Sequence, residues 1–219
     1  MINTVRQSGI IPDEAVRAAS ASIIGAGAIG SHTAEALCKM GVPSMKIWDF
    51  DIVEEHNLAN QGFFMQDLGK FKAPALAERL SAGTGAEVVA YNERLEKDCQ
   101  FDTEFVISAV DSMASRLVIW ENYLDSPRST YFLDGRMGAR FGQVYFVDKQ
   151  KPETIEFYKN SLFSDEEAYT VPCTEKATIF CAYGIGSVIC ALVAKTLIKD
   201  DIRYVVEVDF ANMFMNKCA

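Results

Sequence analysis

Three glycines and an aspartate form the first group of residues whose types and spacing could do chemistry. Gly25, Gly27 and Gly30 occur as GxGxxG between an apolar run and a segment of helical periodicity. In such a turn the first glycine permits a tight bend, the second lets a phosphate approach the backbone, and the third allows close helix-to-strand contact. Asp49 follows about 20 residues later, where a carboxylate can hydrogen-bond a ribose hydroxyl. The spacing predicts a mononucleotide or dinucleotide site, the alternative being a purely structural turn.

Alternating strands and helices are predicted to position this turn. Strands are predicted at residues 21–24, 45–50, 87–91, 105–110 and 203–208, and helices at 31–40, 72–80 and 113–124. Such alternation is typical of an α/β fold with a Rossmann-like, doubly wound and mostly parallel sheet. Residues 131–133 and 143–147 are two further strands, too close together for a parallel crossover, so they must pair antiparallel and make the sheet mixed. We expect a single domain over residues 1–219.

Two segments near the C-terminus depart from this alternation. Residues 149–177 are polar, contain proline and lack clear periodicity, which predicts an irregular, crossover-like segment. Residues 178–194 are uncharged and largely apolar, but they fall short of the roughly 20 residues that a membrane-spanning helix needs. Their small residues suit close packing against a sheet, so we expect a buried helix and no membrane partner.

Composition limits the classes of partner and the compartment. The formal net charge of −9 argues against nucleic-acid binding through a basic surface. It does not exclude a phosphate held by local backbone N–H groups. The six cysteines include no CxxC pair, so neither a disulfide framework nor a structural zinc site is expected. Residues 1–17 lack the apolar stretch of a signal peptide, and we expect a cytoplasmic protein.

A polar run after Asp49 distinguishes between ATP and NAD as the nucleotide. The run reads DFDIVEEHNLANQ and ends at Gln61, and GKFK follows, ending at Lys72. It resembles the D-x-D, N-L-x-R-Q and G-x-x-K signatures of the ubiquitin-activating-enzyme-like (ThiF/MoeB/HesA-type) adenylyltransferase family. Nicotinamide dehydrogenases have no such run at this place, so the resemblance favours ATP.

Two further matches extend the resemblance over nearly the whole chain. Asp111, in the sequence VDS with Arg116 following, resembles the family's acidic turn at the end of the fourth strand. Arg6 resembles the arginine near the end of the family's R-x-x-R-Q opening, which acts across a two-fold interface. The resemblance therefore also implies a homodimer.

The resemblance implies a reaction and a set of site residues. The reaction would be ATP-dependent adenylation of the C-terminal carboxylate of a small ubiquitin-like or sulfur-carrier protein. Lys72 and Arg6 would neutralise charge on the phosphate oxygens, and Asp111 would hold Mg²⁺. The implied nucleotide-binding residues are Gly25, Gly27, Gly30, Asp49, Asp51, Asn57, Asn60, Gln61 and Lys72.

Several of these residues also have a purely structural interpretation. Lys72 could be a solvated residue at a helix start, Asp111 a helix N-cap, and Asp51 a turn former. A catalytically weak partner subunit would keep the fold and lose phosphate contacts. An NAD-dependent oxidoreductase would share the glycine-rich turn and Asp49, but it would have no use for Lys72 and Asp111 in this order.

One position departs from the family pattern. Asn60 stands where N-L-x-R-Q has an arginine that contacts phosphate. The loss predicts either weaker catalysis or compensation by another cation, for which Arg136 is the candidate. Arg136 could equally be a structural residue that pairs with Asp134.

Cys173 is a candidate nucleophile. The sequence VPCT around it resembles the neighbourhood of the thioester-forming cysteine in ubiquitin-activating enzymes, and a thiol near a helix N-terminus can have a lowered pKa. Alternatively, the adenylate is released or passed directly to a sulfur donor, as in several ThiF-type enzymes. Cys181 is expected to pack in the apolar helix. His32 and His56 are expected to be structural.

Overall fold

The computed structural model describes residues 2–163 and 177–218. In these ranges the strands are β1 (Ser20–Ile24), β2 (Ser44–Trp48), β3 (Glu87–Tyr91), β4 (Phe105–Ser108), β5 (Tyr131–Gly138), β6 (Phe141–Asp148), β7 (Val205–Asp209) and β8 (Phe214–Cys218). The α-helices are α1 (Asp13–Ala18), α2 (Ala28–Met40), α3 (Lys72–Thr84), α4 (Met113–Asp125), α5 (Pro152–Lys159) and α6 (Ile179–Leu197).

All eight strands form one mixed sheet in the order β3-β2-β1-β4-β5-β6-β7-β8. Strands β1 to β5 are parallel, and β6, β7 and β8 are added antiparallel. The predicted α/β class, the mostly parallel sheet and the antiparallel pairing of β5 with β6 are confirmed. The chain runs from β1 outward to β3 and then returns to β4 on the other side of β1. Such a reversal leaves a crevice at the carboxyl ends of the two central strands.

Two apolar layers cover the faces of the sheet. Neighbouring strand residues alternate between the layers: Ile23 joins the layer of α2, α3 and α6, whereas Ile24 joins the layer of α4 and α5. Because both faces are buried, the central strands are continuous apolar runs rather than alternating ones. This burial fixes β1 and β4 rigidly, so the loops at their carboxyl ends start from a defined position.

Two elements, α5 and β8, differ from the predictions, and a third, helix α6, agrees with its prediction. Residues 152–159 form helix α5, so the prediction of an irregular segment is wrong for this part of residues 149–177. Strand β8 was not predicted. Helix α6 is long and apolar enough, by length and composition, to cross a membrane, a test that the core helix of a soluble protein also passes. It packs against α2, β5 and β6 with Ile185 and Ile189 fully buried, as predicted for a buried helix.

Candidate functional site

The glycine-rich turn brings the carboxyl ends of β1 and β4 together. Gly25 has a φ of 95°, which L side chains rarely adopt, and its N–H donates to the Trp48 carbonyl oxygen at 2.8 Å. A Cβ at Gly25 would lie 2.6 Å from the Ala109 carbonyl oxygen, and a Cβ at Gly30 would lie 1.8 Å from the Gly25 carbonyl oxygen. Only glycine fits at these two positions, because the obstructing atoms belong to the backbone.

Gly27 is the open member of the motif. It is the N-cap of α2, and a Cβ built on it would have no atom of the described residues within 4 Å. The first turn of α2 contains no acidic residue. A helix N-terminus carries unpaired N–H groups and a partial positive charge, and both favour an anion. The space beside Gly27 is therefore suited to a phosphate.

A hydrogen-bonded line connects the glycine-rich turn to α3. The carboxylate of Asp49 accepts the Ala26 N–H at 2.6 Å and the Asp51 N–H at 2.8 Å. Burial raises the pKa of Asp49, and the two N–H groups act in the opposite direction. Asp51 in turn accepts from Lys72 Nζ at 3.0 Å. Each carboxylate oxygen of Asp49 has a second lone pair, so the carboxylate can still accept a hydrogen bond from a ribose hydroxyl.

Lys72 is a buried cation in an unfavourable place. It is the first residue of α3, and its side chain is 8% exposed, while that of its partner Asp51 is 52% exposed. The alternative of a solvated lysine is therefore wrong. Burying an ammonium costs free energy, and the partial positive charge of a helix N-terminus adds to that cost. A negative ligand at this position would offset both.

Asn57 supports the polar run internally. It is 4% exposed and lies in a 3-10 helix, Glu55–Ala59. Its side-chain oxygen accepts the Glu54 N–H at 2.9 Å, and its carbonyl oxygen accepts the N–H groups of Asn60 and Gln61 at 3.2 and 2.9 Å. The structure thus shows Asn57 fixing the loop that presents the next two predicted residues.

The loop that follows packs on the beginning of α2. His32 Nε2 lies 3.2 Å from the Asn60 carbonyl oxygen, and Ser31 Oγ accepts the Gly62 N–H at 2.9 Å. Burial is the largest cause of the lowered pKa of His32. Asn60 Oδ1 and Gln61 Oε1 are buried and have no hydrogen-bond partner among the described residues. Because buried polar atoms are normally paired, these two are open to a ligand or a water.

In the acidic turn after β4, Asp111 does not cap helix α4. Ser112 is the N-cap of α4, and its Oγ accepts the Ser115 N–H at 3.2 Å. The N-cap alternative for Asp111 is therefore wrong, and its side chain is exposed. Arg116 donates to the Val110 carbonyl oxygen at 2.6 Å and so holds the turn from below. One exposed carboxylate near the glycine-rich turn would suit Mg²⁺ if a phosphate bound there, since Mg²⁺ takes one or two carboxylates together with phosphate oxygens.

Arg136 makes its contacts away from the glycine-rich turn. Its Nε donates to Asp134 at 2.7 Å, its other nitrogens donate to Ser161, and its guanidinium lies 4.3 Å from the centre of the Tyr145 ring. Of the two interpretations of Arg136, the structure shows the pairing with Asp134.

Two predicted residues lie outside the assembled group. Arg6 is exposed, and the neighbouring Gln7 donates through Nε2 to the carbonyl oxygen of Met40, the last residue of α2. The glycine-rich turn is at the opposite end of this helix, on the order of 20 Å away. Arg6 is thus not part of the site of its own chain. Cys173 lies outside the described residues, and Cys181 is fully buried, as expected.

Sequence reasoning missed Ser31 and the central role of Asp134. Ser31 Oγ donates to the Gly27 carbonyl oxygen at 2.6 Å while accepting from Gly62, so it joins the glycine-rich turn to the polar run. The signal for Asp134 was present as a carboxylate two residues before Arg136 on one face of a strand. A pattern of this kind predicts one pair, whereas the structure shows Arg116 sharing the same carboxylate.

Comparison with known proteins gives a family and two groups of relatives. The ThiF family model matches residues 3–217. The sulfur carrier protein ThiS adenylyltransferase of Bacillus subtilis (strain 168) is 33% identical over 140 residues, which cover 60% of this chain and 41% of that protein. Ubiquitin-like modifier-activating enzyme 5 of Drosophila melanogaster is 28% identical over 134 residues, which cover 52% of this chain and 33% of that protein. The matches thus span less than half the length of either relative.

Solved structures show the same fold. E. coli MccB in its complex with ATP matches with a TM-score of 0.74 at 15% identity, covering 94% of this chain and 65% of that one. E. coli tRNA N6-threonylcarbamoyladenosine dehydratase, TcdA, in complex with AMP matches with a TM-score of 0.67 at 19% identity, covering 90% and 93%. At such identities the likeness extends to the fold alone.

Proposed function

The chain belongs to the ThiF family, and from that premise we propose that it uses ATP to adenylate the C-terminal carboxylate of a small ubiquitin-like or sulfur-carrier protein. An oxygen of the carboxylate forms a bond to the α-phosphorus. The bond from that phosphorus to the bridging oxygen breaks, and pyrophosphate leaves with the electron pair. Negative charge grows on phosphate oxygens during this exchange, so fixed cations and N–H donors lower the barrier.

One observation carries the proposal: the hydrogen-bonded line from Ala26 through Asp49 and Asp51 to Lys72. This line joins Asp49, the proposed acceptor for the ribose, to Lys72, the proposed phosphate ligand, beside the N-terminus of α2, and so supports the proposal. A nicotinamide enzyme needs the first of these features and has no role for the buried Lys72.

Each group in the site has a defined task in this proposal. The first turn of α2 and Lys72 bind phosphate oxygens, and Asp49 binds the ribose. Asn60 and Gln61 supply side-chain amide oxygens that have no partner among the described residues and are free to accept from the nucleotide. Asp111 would hold Mg²⁺, which when bound supplies positive charge to the phosphates.

The relatives favour the protein substrate. The Bacillus subtilis and Drosophila proteins are named for sulfur-carrier and ubiquitin-like partners. A second function, a catalytically weak partner subunit, is favoured by Asn60, because an amide carries no positive charge to place on a phosphate. The thioester step at Cys173 is a further proposal, supported by the VPCT sequence.

The test compares nucleotides and then removes the metal ligand. Mg²⁺ with ATP should raise the melting temperature, since a ligand at a hundredfold excess over its Kd stabilises the native state by roughly 2.7 kcal/mol. NAD should not. Asp111→Asn should melt like the wild type without ligand and lose ATP–pyrophosphate exchange measured with a Gly-Gly-terminated carrier protein.

Two of the following results would overturn adenylation, and the result with Asp111→Asn would overturn only the proposed metal-binding role of Asp111. Equal shifts with ATP and NAD would indicate a general nucleotide fold without adenylation chemistry. Normal exchange in Asp111→Asn would show that the exposed carboxylate is not part of the site. ATP binding by the wild type without any pyrophosphate exchange would favour the partner-subunit alternative.

A further inference from the structure

A fully buried carboxylate lies in the middle of β5, outside the proposed nucleotide site. Asp134 is 0% exposed. Its Oδ1 accepts from Arg116 Nε at 3.0 Å, and its Oδ2 accepts from Arg136 Nε at 2.7 Å and from the Tyr158 hydroxyl at 3.1 Å. Three donors from α4, β5 and α5 therefore meet on one side chain.

Stability alone is a weak reason for this cluster. It holds two guanidinium groups against one carboxylate, and the side chains of Arg116 and Arg136 are only 6% and 12% exposed. Removing charges from water is costly, and well-packed apolar residues often serve a core as well as a buried ion pair does. A buried charge cluster is better explained when one of its members must hold a neighbouring segment of the chain in a particular position.

The geometry of Arg116 shows where it is needed. While Nε is held by Asp134, an Nη nitrogen of the same guanidinium donates to the Val110 carbonyl oxygen at 2.6 Å. Val110 immediately precedes Asp111. Because a guanidinium is planar and its donors are fixed relative to one another, the carboxylate that orients Nε also sets the direction of the second bond.

Among the described residues, two further contacts border this turn. Ala109 N–H donates to the Ile24 carbonyl oxygen at 2.8 Å, which ties the start of the turn to β1. Ser112 then begins α4 as its N-cap. Between these two points, Arg116 donates to the carbonyl oxygen of Val110, the residue directly before Asp111.

We infer that Asp134 is a positioning residue, which holds Asp111 in place through Arg116 and the Val110 carbonyl. The inference rests on the proposed function in so far as Asp111 serves the nucleotide. The same carboxylate is also bonded to Tyr158 and Arg136, but those contacts lead to α5 and Ser161 and not to the turn. They provide the matched control.

The first experiment needs no nucleotide. Asp134→Asn keeps the shape but leaves one neutral amide oxygen for two guanidinium groups, so the charge-assisted bond that orients Arg116 is lost. Backbone hydrogen exchange of residues 109–112 should then become faster by roughly tenfold or more, because the local opening free energy falls. Arg116→Lys should do the same, since an ammonium cannot span both partners. Tyr158→Phe keeps both guanidinium contacts and should leave the exchange rate of these amides at the wild-type value.

The second experiment uses the loaded protein. In ATP–pyrophosphate exchange, Asp134→Asn and Arg116→Lys should lower kcat by about a hundredfold, the scale of a 1 Å misplacement. The Mg²⁺ concentration for half-maximal rate should rise, whereas the KM for ATP should change little. A loss of stability without displacement of the turn would leave the Mg²⁺ requirement unchanged at temperatures below the melting transition.

The outcomes separate this inference from the proposed function. If the wild type shows no pyrophosphate exchange, the proposed function fails, and the hydrogen-exchange result still decides the role of Asp134. Wild-type hydrogen exchange of residues 109–112 in the folded variants overturns the inference, as does an unchanged Mg²⁺ requirement. Should Asp134→Asn fail to fold, Arg116→Lys decides the question alone.

Discussion

At the scale of single residues, replacing Lys72 should affect ligand binding and the stability of the fold differently. Its ammonium is buried at the first position of α3 and is paired with the half-exposed Asp51. The helix N-terminus repels this cation and favours the aspartate. Removing the lysine therefore eliminates the free-energy cost of burying its ammonium. Asp51 stays near the N-terminus of α3, whose partial positive charge stabilises a carboxylate. A lysine that served only the stability of the fold would not be buried at a helix N-terminus, where its charge raises the free energy of the folded state.

We predict that Lys72→Met keeps the fold, with a free energy of unfolding within about 1 kcal/mol of the wild type, because the stem stays buried and only the charge is lost. The rate of ATP–pyrophosphate exchange should fall by two or more powers of ten, as for other lost transition-state donors. Urea unfolding and exchange assays measure the two quantities on the same samples.

Lys70→Met is the matched control for this prediction. Lys70 lies two residues earlier, its side chain is 49% exposed, and its Nζ is 3.4 Å from Asp67. Its loss should change neither quantity appreciably, since an ion pair of 3.4 Å whose lysine is half exposed to solvent contributes little. Equal activity losses in the two variants would indicate a general charge effect and refute a specific phosphate contact by Lys72.

At the scale of elements, the unit formed by β1, the glycine-rich turn and α2 contains two glycines with different tasks. Gly30 is packed against the backbone of Gly25, whereas Gly27 faces open space. Alanine at each position adds the same methyl group to the same turn. The pair therefore distinguishes packing from ligand access within one element.

Gly30→Ala should lower the free energy of unfolding by about 2 kcal/mol or more, because its Cβ would meet the Gly25 carbonyl oxygen and the backbone must move. Gly27→Ala should cost less than about 1 kcal/mol, the usual scale for a change at an N-cap. It should nevertheless reduce the melting-temperature shift produced by Mg²⁺ with ATP. Full retention of that shift in Gly27→Ala would mean that the phosphate binds elsewhere.

The predictability of each element from sequence follows from how much of it is buried. The central strands were predictable because burial on both faces makes them continuous apolar runs. Helix α5 was missed because only Thr154 and Tyr158 are buried, which is too few to produce a helical period. Strand β8 follows a tight turn at Asp209 and is short, so its apolar residues gave no clear alternation.

Which residues serve the candidate site stays a prediction, and the contacts between them could not be derived from the sequence. Asp111 and Ser112 are both good N-cap residues, and sequence alone could not choose between them. The structure assigns the cap to Ser112. Asp134 likewise had an evident partner two residues away, and its bond to Arg116 depends on the distant pairing of β4 with β5.

At the scale of the whole molecule, the overall charge and the site have opposite character. The net charge is −9, and yet the proposed phosphate site combines a buried lysine with a helix N-terminus. Local groups at contact distance outweigh a diffuse surface charge that salt screens over about 10 Å. Arg6, the further cation that the family resemblance predicts for the site, is not among these groups because it lies at the other end of α2.

We propose that the protein acts as a homodimer in which Arg6 reaches the nucleotide of the partner subunit. Arg6 is exposed, and Val5 and Ile10 beside it are 65% and 74% exposed, so this segment offers apolar surface next to the cation. A symmetric dimer is the commonest soluble oligomer, and a two-fold axis gives each subunit the arginine of the other. A charge that stabilises the transition state in this way should be worth roughly 2.7 kcal/mol or more.

The test mixes two inactive variants. Arg6→Ala and Asp111→Asn homodimers should each lose at least about a hundredfold in ATP–pyrophosphate exchange. After subunit exchange, mixed dimers contain one site with both Arg6 and Asp111 intact, so activity should reappear and approach one quarter of the wild-type value on statistical mixing, because half of the dimers are mixed and each has one working site in two. Arg17→Ala, which removes an arginine on the neighbouring helix α1, should stay active by itself. If labelled subunits demonstrably exchange and activity stays absent, Arg6 does not act across the interface.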